Sequence, residues 1–393
     1  MKKHIILLLP LLVLSTISTT SCSGNKTNSP LIISEYLEGD GANKAIELYN
    51  ISNKEIDLSD YSISIYISEG KETNISLKGI IKPKETFVLV NSSSSQELLE
   101  KADQTASFLY VGKQPISLKR GSKTLDIVGY ANNTSIDYGA DVVLVRKTNY
   151  FIPRIEFDEY DWIRYLPNEF QYLGNIDNSV TEEELLAGPK LTDDDLSKPY
   201  YKMGTNGYVG NGGVVDVEMY KGVDGDTTIF TYPNEFVTEM NTILPSNKQM
   251  HNNSTKVRYQ GIDTPESYTG NIQEFGIPAK FFTTGVLEDA TDIKVQSVNG
   301  SELIETFGRL LGWVWADGTL VNFLVVKNGY SKCMFEDVET MSYKGVTYTN
   351  YLYNIQLYAE KQKVGVWGEK DPYWDYTTNK STYKGYTGGI EDN

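Results

Sequence analysis

Between Leu31 and Lys147, short runs alternate apolar and polar residues: "LIISEYL", "AIELYNI", "YSISIYI", "TFVLVN", "PISLKRG", "LDIVGY" and "DVVLVRK". Successive side chains of a strand point to opposite faces, so this alternation predicts strands. Gly-Asp-Gly, Ser-Asn-Lys and Asn-Asn-Thr clusters separate the runs, the punctuation of an antiparallel sandwich or barrel. From about Gly210 the pattern changes. Strands are predicted at "VVDVEMYKG", "TTIFTYP", "TKVRYQGI", "DIKVQSV" and "LLGWVWADG", and helices at 276–288, at "LVNFLVVKNG" and over about 349–363. Gly365 and Trp367 close the last helix. That order suits a five-stranded barrel with three helices, so the chain is expected to be mainly β and to have two domains.

The ends and joints are polar. Lys2 and Lys3 precede the apolar run "IILLLPLLVL" and then "STISTTSC", which reads as a signal peptide over 1–22. The apolar run is short for a membrane span. Cys22 resembles the lipidation site of a bacterial lipoprotein, although Thr19 stands where an aliphatic residue is usual. A surface lipoprotein anchored to the bacterial membrane through Cys22, or a secreted protein, is expected. Residues 23–30 read as a tether, the acidic stretch 177–206 as a linker with a short helix at "TEEELL", and 369–393 as a loose tail. With Cys22 lipidated only Cys333 remains, so no intramolecular disulfide is expected, and Cys333 reads as a packing residue.

The formal net charge of −16 argues against a protein that grips nucleic acid by overall basicity, so any polyanion site must be local. Three distant segments share one chemistry: "VDGDTTIF" with Asp224 and Asp226, "VRYQGIDTPES" with Arg258, Asp263, Thr264 and Glu266, and "TFGRLLGWVWADG" with Arg309. Two carboxylates on one face repel unless a cation or proton lies between them. Phosphodiester cleavage needs a carboxylate base for water, forked guanidinium groups for the transition-state charge, and a hard cation where phosphate and carboxylates meet. Oxygen ligands favour calcium or magnesium over zinc. The only histidines are His4 and His251, which cannot form a zinc site, so carboxylate work is the natural option. Each motif alone has a blander reading: Asp-Gly is a common turn, Thr-Pro-Glu a common helix or turn start, and a lone arginine a common surface residue. Their joint occurrence in order favours chemistry.

These motifs resemble two families. "LIISEYLEGDGANKAIELYNISNKEIDLSDYSISIYI", with "VVLVRKTNY" and "WIRYLPNEFQYLG", is similar to a lamin tail domain, which implies an immunoglobulin-like β-sandwich over 31–176 and no catalytic signature. "DGDT", "R-x-x-x-x-D-T-P-E", "GR-L" before "ADG", and "NGYSK" ahead of "VGVWG" resemble the staphylococcal nuclease family, which implies an OB-fold over 207–368. The resemblance implies calcium ligands at Asp226, Asp263 and the Thr264 carbonyl, with Asp224 in support. It implies Glu266 as the residue that activates or positions the attacking water, and Arg258 and Arg309 as the phosphate clamp. It also implies a calcium-dependent nuclease acting on DNA and RNA with little sequence preference, leaving a 3′-phosphate and a 5′-hydroxyl.

Some positions depart from that pattern. Phe307 replaces a phosphate-contacting Tyr, Phe335 a nucleotide-stacking Tyr, and Asp337 a second Tyr. Phe335 retains a π-face for a base, and Tyr330 is a further candidate for substrate contact. The connection "YPNEFVTEMNTILPSNKQMHNNS" is expected as an extended hairpin or a lid. Trp313 and Trp315 alternate along a strand and read as barrel packing. Residues 211–368 hold 12 Lys/Arg against 19 Asp/Glu, about −7, which predicts weak, salt-sensitive binding. The rival function is a catalytically inactive nucleic-acid-binding or adhesive surface lipoprotein. The ligand of the first domain is unknown, and a monomer is expected.

Overall fold

The computed structural model describes residues 26–176, 179–268, 272–334 and 341–379. The expectations placed on Cys22, Phe335 and Asp337 lie outside the described residues. The protein is mainly β, an immunoglobulin-like sandwich followed by an OB-fold barrel.

The sandwich has a six-stranded sheet in the order Trp162–Tyr165, Val142–Arg146, Leu31–Glu38, Lys44–Asn50, Thr86–Asn91, Gln104–Ala106. It faces a four-stranded sheet in the order Lys123–Val128, Ile116–Arg120, Tyr61–Ser68, Lys71–Ser76. Leu31, Ile33, Ile46, Leu48, Ile63, Ile65, Leu89 and Leu118 fill the space between. A bulge between Ile33 and Glu35 shifts the alternation of the first strand, so Glu35 and Leu37 point to the far face. That face is buried as well: Leu37, Ala45, Val88, Val90, Val143 and Val145 pack with Tyr172, Val180 and Leu185 in one cluster that runs on into the barrel core.

The segment expected as a linker is folded from residue 179 onward. Thr181 and Glu184 form a capping box for the helix Glu182–Ala187, where "TEEELL" predicted one, and Thr192 and Asp195 form another for Asp193–Ser197. Its acidic residues occupy the first turns of these helices, where the backbone N–H groups favour negative charge. Tyr201–Gly204 and Gly207–Gly210 then pair as a hairpin.

The barrel strands lie in the order Val214–Asp216, Ile293–Ser297, Leu310–Ala316, Ser254–Tyr259, Thr227–Thr231, Glu218–Gly222. The first and last are two halves of one bent strand, so the sheet's edges join and five strands close a barrel. Trp313 and Trp315 are fully buried, and each meets Tyr348 edge-on. Cys333 is buried as expected, and burial pushes its thiol pKa up. The predicted helices are Gly276–Asp289, Val321–Lys327 and Tyr348–Gln362.

The 231–255 insertion is a helix, Asn234–Ile243, rather than a hairpin or a lid. Its Phe236 packs on Tyr200 and Tyr232, and Met240 is fully buried. It leaves the barrel at Thr231, paired with Ser254, whereas the acidic turn adjoins Thr227, paired with Arg258 at the other end. The tail is likewise ordered over part of its length: Asp371 is buried and bonded to Phe275.

Candidate active site

Asp224 and Asp226 occupy the hairpin turn between Glu218–Gly222 and Thr227–Thr231, and the Val223 and Asp224 N–H groups both donate to the Thr227 carbonyl at 3.0 Å. Gly225 is pressed against its surroundings. An added Cβ there would meet Ala279 and Thr264 at 2.8 Å. The Gly225 carbonyl accepts a hydrogen bond from Thr283 Oγ1 at 2.7 Å, which fixes the turn to the helix Gly276–Asp289. Both aspartates are consequently buried.

Four further positions converge on this turn. Asp226 Oδ2 accepts from the Thr264 N–H at 2.8 Å, and Oδ1 from Thr227 Oγ1 at 3.0 Å. Arg258, opposite Thr227 on the next strand, pairs with Asp226 through Nη1 and with Asp263 Oδ1 through Nη2 at 3.0 Å. Asp263 is set by Ser331, whose Oγ accepts from its N–H and donates to its carbonyl, both at 2.9 Å. Glu266 is held through its backbone: its N–H donates to Gln273 Oε1 at 3.0 Å, and its carbonyl accepts from the Gln273 N–H at 2.9 Å.

The carboxyl of Glu266 lies beside that of Asp224. Burial, the adjacent Asp224 carboxyl and the charges of Asp226 and Asp263 push the Glu266 pKa up to about 7. Burial and the Asp226 charge raise that of Asp224. Four acidic side chains gathered at one turn mark a strongly negative site.

Among the described residues, no three acidic, His or Cys side chains are preassembled around a metal position. Arg258 lies between Asp226 and Asp263 and supplies the positive charge there. The donor set nonetheless suits a hard divalent cation. It is all oxygen, it is over-supplied with negative charge, and the buried Thr264 Oγ1 has no hydrogen-bond partner among the described residues.

The remaining sequence candidates are placed differently. Arg309 follows the exposed Phe307 on a hairpin closed by the Ile304–Leu310 bridge, next to the strand that carries Arg258. Its Nε donates to Glu305 at 2.8 Å, and its guanidinium lies 5.9 Å from the Phe307 ring. Tyr330 is half-buried against Phe282 and Phe275. Ser331, Gln273 and Thr227 are not among the sequence candidates: Thr227 and Ser331 stand within "DGDT" and "NGYSK" as common polar residues, and Gln273 stands seven positions from Glu266 with no signal of its own.

A closed OB-type barrel whose rim gathers four carboxylates and an arginine, preceded by an immunoglobulin-like sandwich, makes this a two-domain β protein. Residues 25–150 match the Lamin Tail Domain and residues 256–369 the staphylococcal nuclease homologue family. The chain is 24% identical over 190 residues to the SPbeta prophage-derived endonuclease YokF of Bacillus subtilis (strain 168), covering 46% of this chain and 50% of that protein. It is 27% identical over 114 residues to the thermonuclease of Staphylococcus intermedius, covering 28% of this chain and 62% of that protein. The chain thus spans between half and two thirds of these curated relatives. The nuclease-family match begins after the 231–255 insertion, so Asp224 and Asp226 lie outside it and reach the site through the fold.

Proposed function

We propose that this chain is a calcium-dependent nuclease that hydrolyses phosphodiester bonds of DNA and RNA outside the cytoplasm, attached to the membrane through Cys22. The observation that supports it most is the convergence of Asp224, Asp226, Arg258, Asp263 and Glu266 from separate segments onto one buried turn. Asp226, Asp263 and the Thr264 carbonyl would hold the calcium ion. When bound, it supplies the positive charge that lets an anionic phosphate approach these carboxylates.

The other work falls to the chain's own side chains. Glu266 takes the proton of the attacking water on its carboxylate, the work of a general base. Asp224 holds and orients that carboxyl. Arg258 offers a forked set of donors to the phosphate oxygens, where charge grows in the transition state. Arg309, on the adjacent hairpin, is the second donor. The sandwich would hold the enzyme to a surface component or polyanion.

In the variant Glu266→Gln, cleavage of single-stranded DNA is expected to fall by roughly 10²–10⁴-fold while substrate binding persists, as measured by initial rates and fluorescence anisotropy. Unchanged cleavage would contradict the role of Glu266. Cys22→Ser is expected to move the protein from the membrane fraction to the soluble fraction, and retention in the membrane would contradict the anchor.

A further inference from the structure

The loop between Glu266 and the helix Gly276–Asp289 is tied at its far end to the segment that follows the barrel. Asp371 is buried, and its Oδ2 accepts a hydrogen bond from the Phe275 N–H at 2.6 Å. Its Oδ1 accepts from the Tyr373 N–H at 2.7 Å. The Tyr376 hydroxyl accepts from the Asp371 N–H at 2.9 Å and donates to the buried Glu274. Phe275 itself is left-handed, with φ 62°, a conformation non-glycine residues adopt only when their surroundings impose it. Its ring is buried with Val366, Tyr330 and Trp367. Two residues earlier, Gln273 exchanges two hydrogen bonds with the Glu266 backbone, and Gly276 abuts the Glu266 carbonyl. Asp371 and Tyr376 lie beyond residue 369, where the nuclease-family match ends.

We propose that residues 371–376 form a clamp that positions Glu266, with Asp371 and Tyr376 as positioning residues acting through Gln273, Glu274 and Phe275. Neither residue touches the carboxylate cluster. Each fixes the end of the loop whose other end bears the base, and sub-ångström placement of a base has large kinetic consequences. The inference rests on the nuclease reading for its kinetic consequence, but its structural content can be tested without cleavage.

The test uses residues 23–393 with Asp371→Ala, Asp371→Asn and Tyr376→Phe. Hydrogen exchange of the Gln273–Phe275 amides and steady-state cleavage are measured together. In Asp371→Ala, exchange of these amides is expected to rise about tenfold or more while the sandwich strands are unchanged. The kcat is expected to fall about tenfold with KM little changed. Asp371→Asn, which keeps an acceptor oxygen, should recover most of both, and Tyr376→Phe should reproduce a milder form of the alanine defect. Wild-type exchange in both Asp371→Ala and Tyr376→Phe would overturn the clamp, whatever the activity. Faster exchange with unaltered kcat would overturn its positioning role. A wild-type chain that binds calcium but cleaves nothing would refute the nuclease reading, and the exchange result would still decide the clamp.

Discussion

Gly276 cannot carry a side chain without displacing Glu266: a Cβ built there falls 2.0 Å from the Glu266 carbonyl oxygen. Gly276→Ala is therefore expected to lower stability by about 1–3 kcal/mol, the usual effect of overpacking, and to lower cleavage further than the lost stability explains. Urea unfolding and initial rates on one preparation check both. Activity intact at lowered stability would mean the loop relaxes away from Glu266. At this scale the residues that the fold gathers at the acidic turn were legible, because Asp224, Asp226, Arg258, Asp263, Thr264 and Glu266 stand in short ordered motifs, whereas Arg309, in a motif as well, pairs with Glu305 instead. Their partners were not. Ser331, although it stands within "NGYSK", reaches Asp263 across 68 positions, and Asp371 reaches Phe275 across 96 with no motif around it.

Among the elements, the first two sandwich strands hold an unusual pair. The bulge after Ile33 places Glu35 across from Glu47, both buried on the face that packs toward the barrel. Glu47 accepts from Ser34 Oγ and from the Gly174 N–H, each at 2.6 Å, whereas both Glu35 oxygens have no hydrogen-bond partner among the described residues. Burial pushes the Glu47 pKa up to about 7, and burial with the neighbouring Glu47 charge raises Glu35 as well. The folded state thus holds protons that the unfolded chain has released. Stability is expected to fall as pH rises from about 4.5, the unfolded value, through about 7, by an amount on the order of 3 kcal/mol for Glu47. Glu47→Gln should flatten that slope in denaturant titrations at several pH values, and an unchanged slope would contradict it. The strand and helix positions around these residues were largely legible, because period-two and helical patterns survive in the sequence. The bulge was not, since one extra residue leaves the composition unaltered. The stretch "LTDDDL" falls within the acidic segment expected as a linker, although its Thr-x-x-Asp spacing is that of the capping box which Thr192 and Asp195 form.

The two domains share one apolar cluster rather than a flexible joint. Sandwich residues Leu37, Val90 and Tyr165 join barrel residues Phe323, Tyr351 and Ile355 through Tyr172, Val180 and Leu185. Polar contacts reinforce it: Lys361 lies 4.0 Å from the Tyr160 ring, Tyr353 bonds to Glu159, and Lys344 pairs with Glu184 at 2.5 Å. The full chain is expected to unfold in one calorimetric transition. A fragment of residues 179–393, with part of that face uncovered, should melt several degrees lower and self-associate. Two well-separated transitions in the full chain would contradict this. That docking was the least legible feature, because the acidic composition of 177–206 suggests a solvated linker while its few apolar residues make the contacts.

Calcium dependence of cleavage by residues 23–393 bears most directly on the proposed site. Initial rates on single-stranded and duplex DNA would be measured over a calcium titration, with magnesium, with chelator, and with Asp226→Asn. Hydrolysis that saturates with calcium, vanishes in chelator and needs far more calcium in the variant is the expected result. Equal cleavage in chelator, or an unaltered calcium requirement in Asp226→Asn, would contradict the site.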